Sequence, residues 1–296
     1  MKNVLTRSLS GLFLIIVVIG SVWFNSISNY FLFLFILIFG LFEFYRFAKA
    51  VDFYPNEKIG IATAIIIYTI SYLVAANVLL KDFFIIIVPL LIFIPIIELY
   101  RQKKNPIINI SITIFGFVYL ALPLSLIHFI VLGTQANGLE PDVINNFSRL
   151  FVLSSSLDSI YYNSFFIIGY FIIQWVSDTG AFVFGVSFGK HRLFERISPK
   201  KSWEGAIGGF IATIGAAFIV HYIFPQLDLK HWIIISIIIT FFGIYGDLIE
   251  SLFKRSVKVK DSGKIMPGHG GILDRFDSTF IALPMVYFYL QIINYL

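Results

Sequence analysis

The chain is a succession of long apolar segments separated by short polar ones. Each segment is long enough to cross a hydrocarbon layer of roughly 30 Å. Backbone groups inside a bilayer must bond to one another, and unbroken apolar runs lack the alternation of barrel strands. The pattern therefore predicts an all-α polytopic integral membrane protein with about nine transmembrane helices, at about residues 9–24, 30–44, 59–80, 83–99, 107–132, 163–188, 205–224, 231–253 and 278–295.

The first apolar segment has two interpretations. Lys2 and Arg7 precede it, which also fits a cleaved signal peptide. The next apolar run begins within a few residues, and this favours a hairpin of two anchored helices.

Composition agrees with a membrane setting. Hydrophobic residues make up 58% of the chain and charged residues 13%, with a mean hydropathy of +0.88. Such a chain has too little polar surface to cover a water-soluble globule. The absence of cysteine excludes disulfides, cysteine-ligated metals and a thiol nucleophile.

The distribution of positive charge predicts the orientation. With nine spans and a cytoplasmic N-terminus, the inner side receives all of the 22 Lys and Arg residues except Lys81, Arg149 and Lys230. That excess on one side follows the positive-inside rule, and it places the C-terminus outside.

The chain divides at its one long outer segment. We expect an N-terminal membrane region of about five helices at 1–133 and an extracytoplasmic loop at 134–161. A catalytic membrane domain of about four helices follows at 162–296, with cytoplasmic loops at 189–204 and 254–277. The chemistry of the sequence is concentrated in this last part.

Asp178 stands inside the sixth predicted span. An ionisable residue at that depth costs several kcal/mol unless it is paired or faces a watery cavity, and this cost favours a functional role. The alternative is that Asp178 caps a helix restarting at Thr179 and that nearby glycines permit close helix packing.

A basic segment precedes the seventh span. Ser198 would cap a turn that Pro199 starts, so that Lys200 and Lys201 lie near a helix N-terminus, a place suited to anions. The alternative is an ordinary positive flank in which Trp203 anchors the chain at the membrane interface.

Carboxylates gather where the eighth span ends and the ninth begins. Asp247, Glu250 and Ser251 share one helix face, and Asp274 and Asp277 repeat the i, i+3 spacing. Two helix ends flanking one loop would bring the three aspartates together around Mg²⁺, which favours carboxylate oxygens, water and phosphates.

The loop between these helix ends is basic and rich in glycine. Lys254 and Arg255 are the first of its basic residues and would hold phosphate oxygens. His269 lies among three glycines, where it would either contact a phosphate or act as an ordinary packed loop residue.

The motifs of residues 163–296 resemble those of the phosphatidate cytidylyltransferases, also called CDP-diacylglycerol synthases. Met266 replaces the usual Ile, Leu or Phe, which is a soft apolar exchange. The resemblance is carried by Ser251-x-Phe-Lys-Arg255, Lys260-Asp-x-Gly263, Pro267-x-His-Gly-Gly271 and Asp274-Arg-Phe-Asp277, and by Asp178-Thr-x-Ala181 and Ser198-Pro-Lys-Lys-Ser-Trp-Glu-Gly205 upstream.

The resemblance implies transfer of CMP from CTP to phosphatidic acid, at the cytoplasmic face of a bacterial inner membrane. It implies Mg²⁺, with a second cation in the same site, membrane lipid as a partner, a possible homodimer and no nucleic acid. The catalytic group would be Asp247, Asp274 and Asp277 as metal ligands together with Ser251. The substrate-binding group would be Asp178, Lys200, Lys201, Lys254, Arg255, His269 and Arg275.

Two other function classes remain open. CTP-dependent kinases of polyprenol or phytol also combine many spans with a cytoplasmic nucleotide site. A transporter is the third class, although it would carry charges near the bilayer midplane in both halves of the chain, whereas here they gather at one face.

Overall fold

The computed structural model describes residues 2–134, 160–259, 262–263 and 270–293. Every predicted span corresponds to one helix within these ranges, and a short 3-10 helix, Lys81–Ile86, leads into the fourth. The helices are α1 (Lys2–Phe24), α2 (Ser26–Lys49), α3 (Glu57–Ala75), α4 (Ile87–Arg101), α5 (Pro106–Val131), α6 (Ser164–Phe188), α7 (Trp203–Ile223), α8 (Leu229–Ser256) and α9 (Leu273–Ile292).

Seven helical segments of the described chain are long and apolar enough to cross a membrane. They are α2, α3, the 3-10 helix joined to α4, and α5 to α8. The prediction of an all-α polytopic membrane protein is therefore confirmed. The number of crossings, the sides of the two termini and the division into domains stay predictions.

Two small antiparallel hairpins interrupt the helices. Strand β1 (Leu132–Thr134) pairs with β2 (Ile160–Tyr162), which brings the end of α5 to the start of α6. Most of the predicted outer loop lies outside the described residues. Strand β3 (Arg192–Phe194) pairs with β4 (Ser198–Ser202) between α6 and α7.

The second hairpin corrects the predicted start of α7. Ser198 does not cap a helix, because it lies on β4 opposite Phe194. The cap is Ser202, whose Oγ accepts a hydrogen bond from Gly205 N at 3.2 Å. A serine oxygen at this position satisfies one of the free N–H groups of the first turn. Lys200 and Lys201 therefore lie on a strand.

Helix α5 lies at the centre of the packing. Leu120, Leu124 and Ile127 are fully buried along it, and it contacts α2, α3, α6 and α9. In the second half, α6 packs against α7 and α8, and α8 packs against α9. Gly208 makes the α6–α7 approach close, since a Cβ there would overlap the Phe184 ring.

The predicted orientation can be tested with single cysteines, because the natural chain has none. We expect Lys104→Cys to react with a membrane-impermeant maleimide only in inside-out vesicles, since Lys104 is exposed and belongs to the predicted inner side. Lys230→Cys, also exposed, should react only in right-side-out vesicles. Labelling of both from the same side would contradict the predicted topology.

Candidate functional site

An acidic cluster joins the end of α8 to the start of α9. One carboxylate oxygen from each of Asp247, Glu250 and Asp277 lies within 4.8 Å of the others. Asp247 and Glu250 are three residues apart and so share a helix face. Gly246 allows the second helix to come near, because a Cβ there would lie 2.5 Å from the Asp277 carbonyl oxygen. The two helices thus meet backbone to backbone at the cluster.

Asp247 has contacts on both of its carboxylate oxygens. Lys201 Nζ from β4 lies 2.6 Å from Oδ2, and Ser251 Oγ donates to Oδ1 at 3.2 Å. Both side chains are only partly exposed, at 25% for Lys201 and 37% for Asp247, so the ion pair is accessible from solvent. The structure thereby brings Lys201 and Ser251 to the cluster, and the sequence had placed only Ser251 on the face of Asp247.

Asp178 lies inside α6, which runs without a break from Ser164 to Phe188. The alternative that it caps a helix restarting at Thr179 is therefore wrong. Gln174 Nε2 donates to its Oδ1 at 3.4 Å. Asp178 also lies near enough to Asp247, Lys201 and Arg275 to interact electrostatically. Helix α6 thus adds a further carboxylate beside the acidic cluster of α8 and α9.

Asp274 is not one of the three clustered carboxylates, although it lies close enough to Glu250 to interact with it directly. Its role as a metal ligand stays a prediction. Its Oδ1 accepts a hydrogen bond from Lys254 Nζ at 2.7 Å. Its Oδ2 accepts from Ser262 N at 2.9 Å, Ser262 Oγ at 2.8 Å and Gly271 N at 2.8 Å. Oδ1 is thus bonded to α8 and Oδ2 to the α8–α9 loop, so Asp274 anchors that loop.

Lys254, predicted as a phosphate contact, is bonded within the protein in this structure. Its side chain is only 12% exposed and forms ion pairs with both Glu250 and Asp274. It therefore bridges the acidic cluster and the loop anchor. Arg255 is exposed, and its Nε donates to Ile197 O at 3.4 Å. Lys200 is exposed on β4.

Arg275 and His269 were both predicted to bind substrate. Arg275 is exposed in the first turns of α9 and interacts electrostatically with Asp178. His269 lies outside the described residues. Sequence reasoning placed Glu250 on the face of Asp247 but did not assign it to the metal, although its i, i+3 spacing from Asp247 is a usable signal.

The cluster fits a hard divalent cation. Three carboxylates from two helices lie close together, and Mg²⁺ and Ca²⁺ prefer oxygen ligands of this kind. Glu250 is buried, and its Oε1 accepts no hydrogen bond within the described chain. A buried carboxylate oxygen without a donor is costly unless a cation supplies the missing interaction.

These features define a polytopic integral membrane protein with a polar, acid-rich site at one end of its helices. The chain belongs to the cytidylyltransferase family, whose model matches residues 5–293. The resemblance seen in the motifs is thereby confirmed at the level of the family.

Curated relatives match a shorter part of the chain. Proteins named phosphatidate cytidylyltransferase from Staphylococcus saprophyticus and Staphylococcus haemolyticus are 49% and 48% identical over 118 residues. The protein of that name from Staphylococcus aureus is 48% identical over the same length. Each match covers 39% of this chain and 45% of the relative, so it spans less than half of either protein.

The close approach of α8 and α9 can be tested by adding one methyl group. We expect Gly246→Ala to lower stability by about 1–3 kcal/mol, the usual range for an overpacked contact, because its Cβ would meet the Asp277 carbonyl. The lower thermal transition would be measured in detergent by loss of the monodisperse peak after heating.

The matched control is Gly215→Ala on α7. A Cβ at Gly215 would meet nothing within 4 Å, so this variant should keep or raise the transition temperature. An unchanged transition for Gly246→Ala would contradict the backbone-to-backbone contact.

Proposed function

We propose that the protein transfers CMP from CTP to phosphatidic acid, releasing pyrophosphate and forming CDP-diacylglycerol. The observation that carries this proposal is the cluster of Asp247, Glu250 and Asp277 beside Lys201, in a membrane chain of the cytidylyltransferase family. The names of the relatives, phosphatidate cytidylyltransferase, support the choice of phosphatidate as the acceptor.

The reaction needs alignment and charge neutralisation. A phosphate oxygen of phosphatidate attacks the α-phosphorus of CTP, and the bond from that phosphorus to the oxygen bridging to the β-phosphate breaks. Pyrophosphate leaves with the electron pair of that bond. Because the substrate carries its own nucleophile, no covalent intermediate on the protein is required, which agrees with the absence of cysteine.

Cationic side chains near the cluster would hold the phosphates. Lys201 is partly exposed and already pairs with a carboxylate, so a phosphate oxygen can compete for its ammonium group. Arg275 offers a planar guanidinium suited to two phosphate oxygens. Ser251 and Gln174 hold Asp247 and Asp178 in place through their hydrogen bonds.

Asp247, Glu250 and Asp277 are the residues that would hold Mg²⁺. When bound, the ion would neutralise negative charge on the triphosphate and polarise a phosphoryl oxygen. A second cation in the same site, expected from the resemblance, is kept as part of the proposal. Asp274, expected from the resemblance to be a further ligand, interacts with Glu250 while its oxygens accept from Lys254 and the loop, and its role as a ligand stays a prediction.

The site would face the cytoplasm at the inner membrane of a bacterium. The excess of Lys and Arg on one side of the chain supports this orientation, and nucleotides are found on that side. Phosphatidate would then reach the site from the inner leaflet. A homodimer, which the family resemblance implies, stays a prediction.

The position of the phosphate that enters the lipid decides between enzyme classes. With CTP, Mg²⁺ and phosphatidate in mixed micelles, we expect label from the α-phosphate of CTP to appear in the lipid product, because cytidylyl transfer keeps that phosphorus. Label from the γ-phosphate in lipid would show a kinase instead. Transport of substrate into vesicles without any lipid product would show a transporter.

The metal assignment predicts strong effects in the cluster. We expect Asp277→Ala and Glu250→Gln each to lower kcat/KM at least about a hundredfold, the scale of losing one charge-stabilising group at a reacting centre. Both variants should also need more Mg²⁺ for half-maximal rate. The rate would be followed by release of pyrophosphate.

The control for these variants is Asp228→Asn. Asp228 precedes α8 and its side chain is 72% exposed, so its loss should leave the rate and the Mg²⁺ dependence unchanged. Rates of Asp277→Ala equal to the wild type in correctly inserted protein would refute the assignment.

A further inference from the structure

Glu43 is a buried acid in the half of the chain that lacks the family motifs. It lies in α2 and is 5% exposed. A carboxylate inside a membrane span is costly unless other groups satisfy it. The adjacent residues on α2 are aromatic, and Arg46, one turn later, is exposed whereas Glu43 is buried. The partners of Glu43 are instead more than 200 residues away.

Glu43 reaches the loop between α8 and α9. Its Oε2 accepts hydrogen bonds from Ser262 Oγ and from Leu273 N, both at 2.9 Å. Leu273 is the first residue of α9, and the preceding Ile272 provides no side-chain cap. The carboxylate of Glu43 therefore caps α9 from another helix, and its negative charge suits the positive end of the helix dipole.

The contact joins the α8–α9 loop at Ser262 to the start of α9. Ser262 Oγ lies 2.9 Å from Glu43 Oε2 and 2.8 Å from Asp274 Oδ2, so its single hydrogen serves two carboxylates. Glycines make room for this arrangement. A Cβ on Gly263 or on Gly271 would overlap the carboxylate of Glu43. Gly263 and Gly271 of the loop thus pack closely around this one side chain.

We propose that Glu43 is a positioning residue for the active site. It holds Ser262 of the α8–α9 loop and the first N–H of α9, and Arg275 and Asp277 follow within the first two turns of that helix. A displacement of the first turn of α9 would move Asp277 away from Asp247 and Glu250. The effect on catalysis rests on the proposed function, whereas the effect on the loop does not.

The first test needs no substrate. Hydrogen–deuterium exchange would be measured by mass spectrometry on peptides covering residues 270–280 of the purified full chain. Glu43→Ala removes the acceptor of Leu273 N and should speed exchange in this peptide at least about tenfold. Peptides from α3 should keep their wild-type rates. Equal exchange in wild type and Glu43→Ala would overturn the proposal.

Glu98 offers a matched control. It is also 5% exposed, lies in the N-terminal half on α4, and is bonded to Arg101 at 2.6 Å and to Asn109 at 2.9 Å. Glu98→Ala therefore removes an equally buried acid whose partners Arg101 and Asn109 lie on α4 and α5 rather than in the α8–α9 loop. It should leave exchange at 270–280 unchanged. Faster exchange there in Glu98→Ala, equal to that in Glu43→Ala, would mean general loosening and would overturn the proposal.

Conservative variants separate positioning from charge. Glu43→Gln keeps the length and one acceptor oxygen, whereas Glu43→Asp keeps the charge but withdraws it by one methylene. If Glu43 positions the start of α9, kcat/KM for CTP should fall about 10- to 100-fold in Glu43→Ala, the range seen when supporting hydrogen bonds are lost. Glu43→Gln should recover most of it and Glu43→Asp less.

The outcomes also separate this proposal from the proposed function. Recovery by Asp but not by Gln would show a role of charge and would overturn positioning. Exchange that changes as expected, in a protein without cytidylyl transfer, would refute the proposed activity and leave the loop contact standing. Wild-type kcat/KM in Glu43→Ala would refute the positioning role.

Discussion

The candidate site requires three negatively charged side chains to lie close together where the dielectric constant is low. Asp247, Glu250 and Asp277 lie within 4.8 Å of one another. At an effective dielectric constant of about 20, two unit charges at that separation repel by roughly 3 to 4 kcal/mol. Two lysines offset this repulsion. Lys201 pairs with Asp247, and Lys254 pairs with Glu250. A bound divalent cation would offset it further.

Close helix packing is the second requirement, because carboxylates on separate helices meet only if the backbones approach. Gly246 provides the contact between α8 and α9. Ser278 Oγ donates to the Gly243 carbonyl oxygen at 3.1 Å one turn earlier on α8, which fixes the same pair of helices. Small residues at helix crossings are the usual means of close approach in membranes. The glycines of α8 therefore help to bring the carboxylates of the candidate site together.

The sequence predicted what depends on local pattern. Hydropathy is a property of consecutive residues, and every span predicted from it corresponds to a helix. The i, i+3 spacing likewise placed Asp247 and Glu250 correctly on one helix face. The same spacing made Asp274 and Asp277 look equivalent. Their difference comes from donors on Ser262 and Gly271, which the spacing cannot reveal. The capping role given to Ser198 failed for a similar reason, since strand pairing with Phe194 decides it.

Glu43 was missed although its signal was present. It is an acid inside an apolar span, as Asp178 is, but no motif surrounds it and its partner Ser262 is 219 residues away. Its contacts continue through Asp274 and Lys254 to Glu250, so one chain of polar groups joins α2 to the acidic cluster. Each member satisfies the next, and removal of any one leaves a buried charge or donor unpaired. The N-terminal helices are therefore connected to the chemistry by hydrogen bonds and ion pairs as well as by apolar packing.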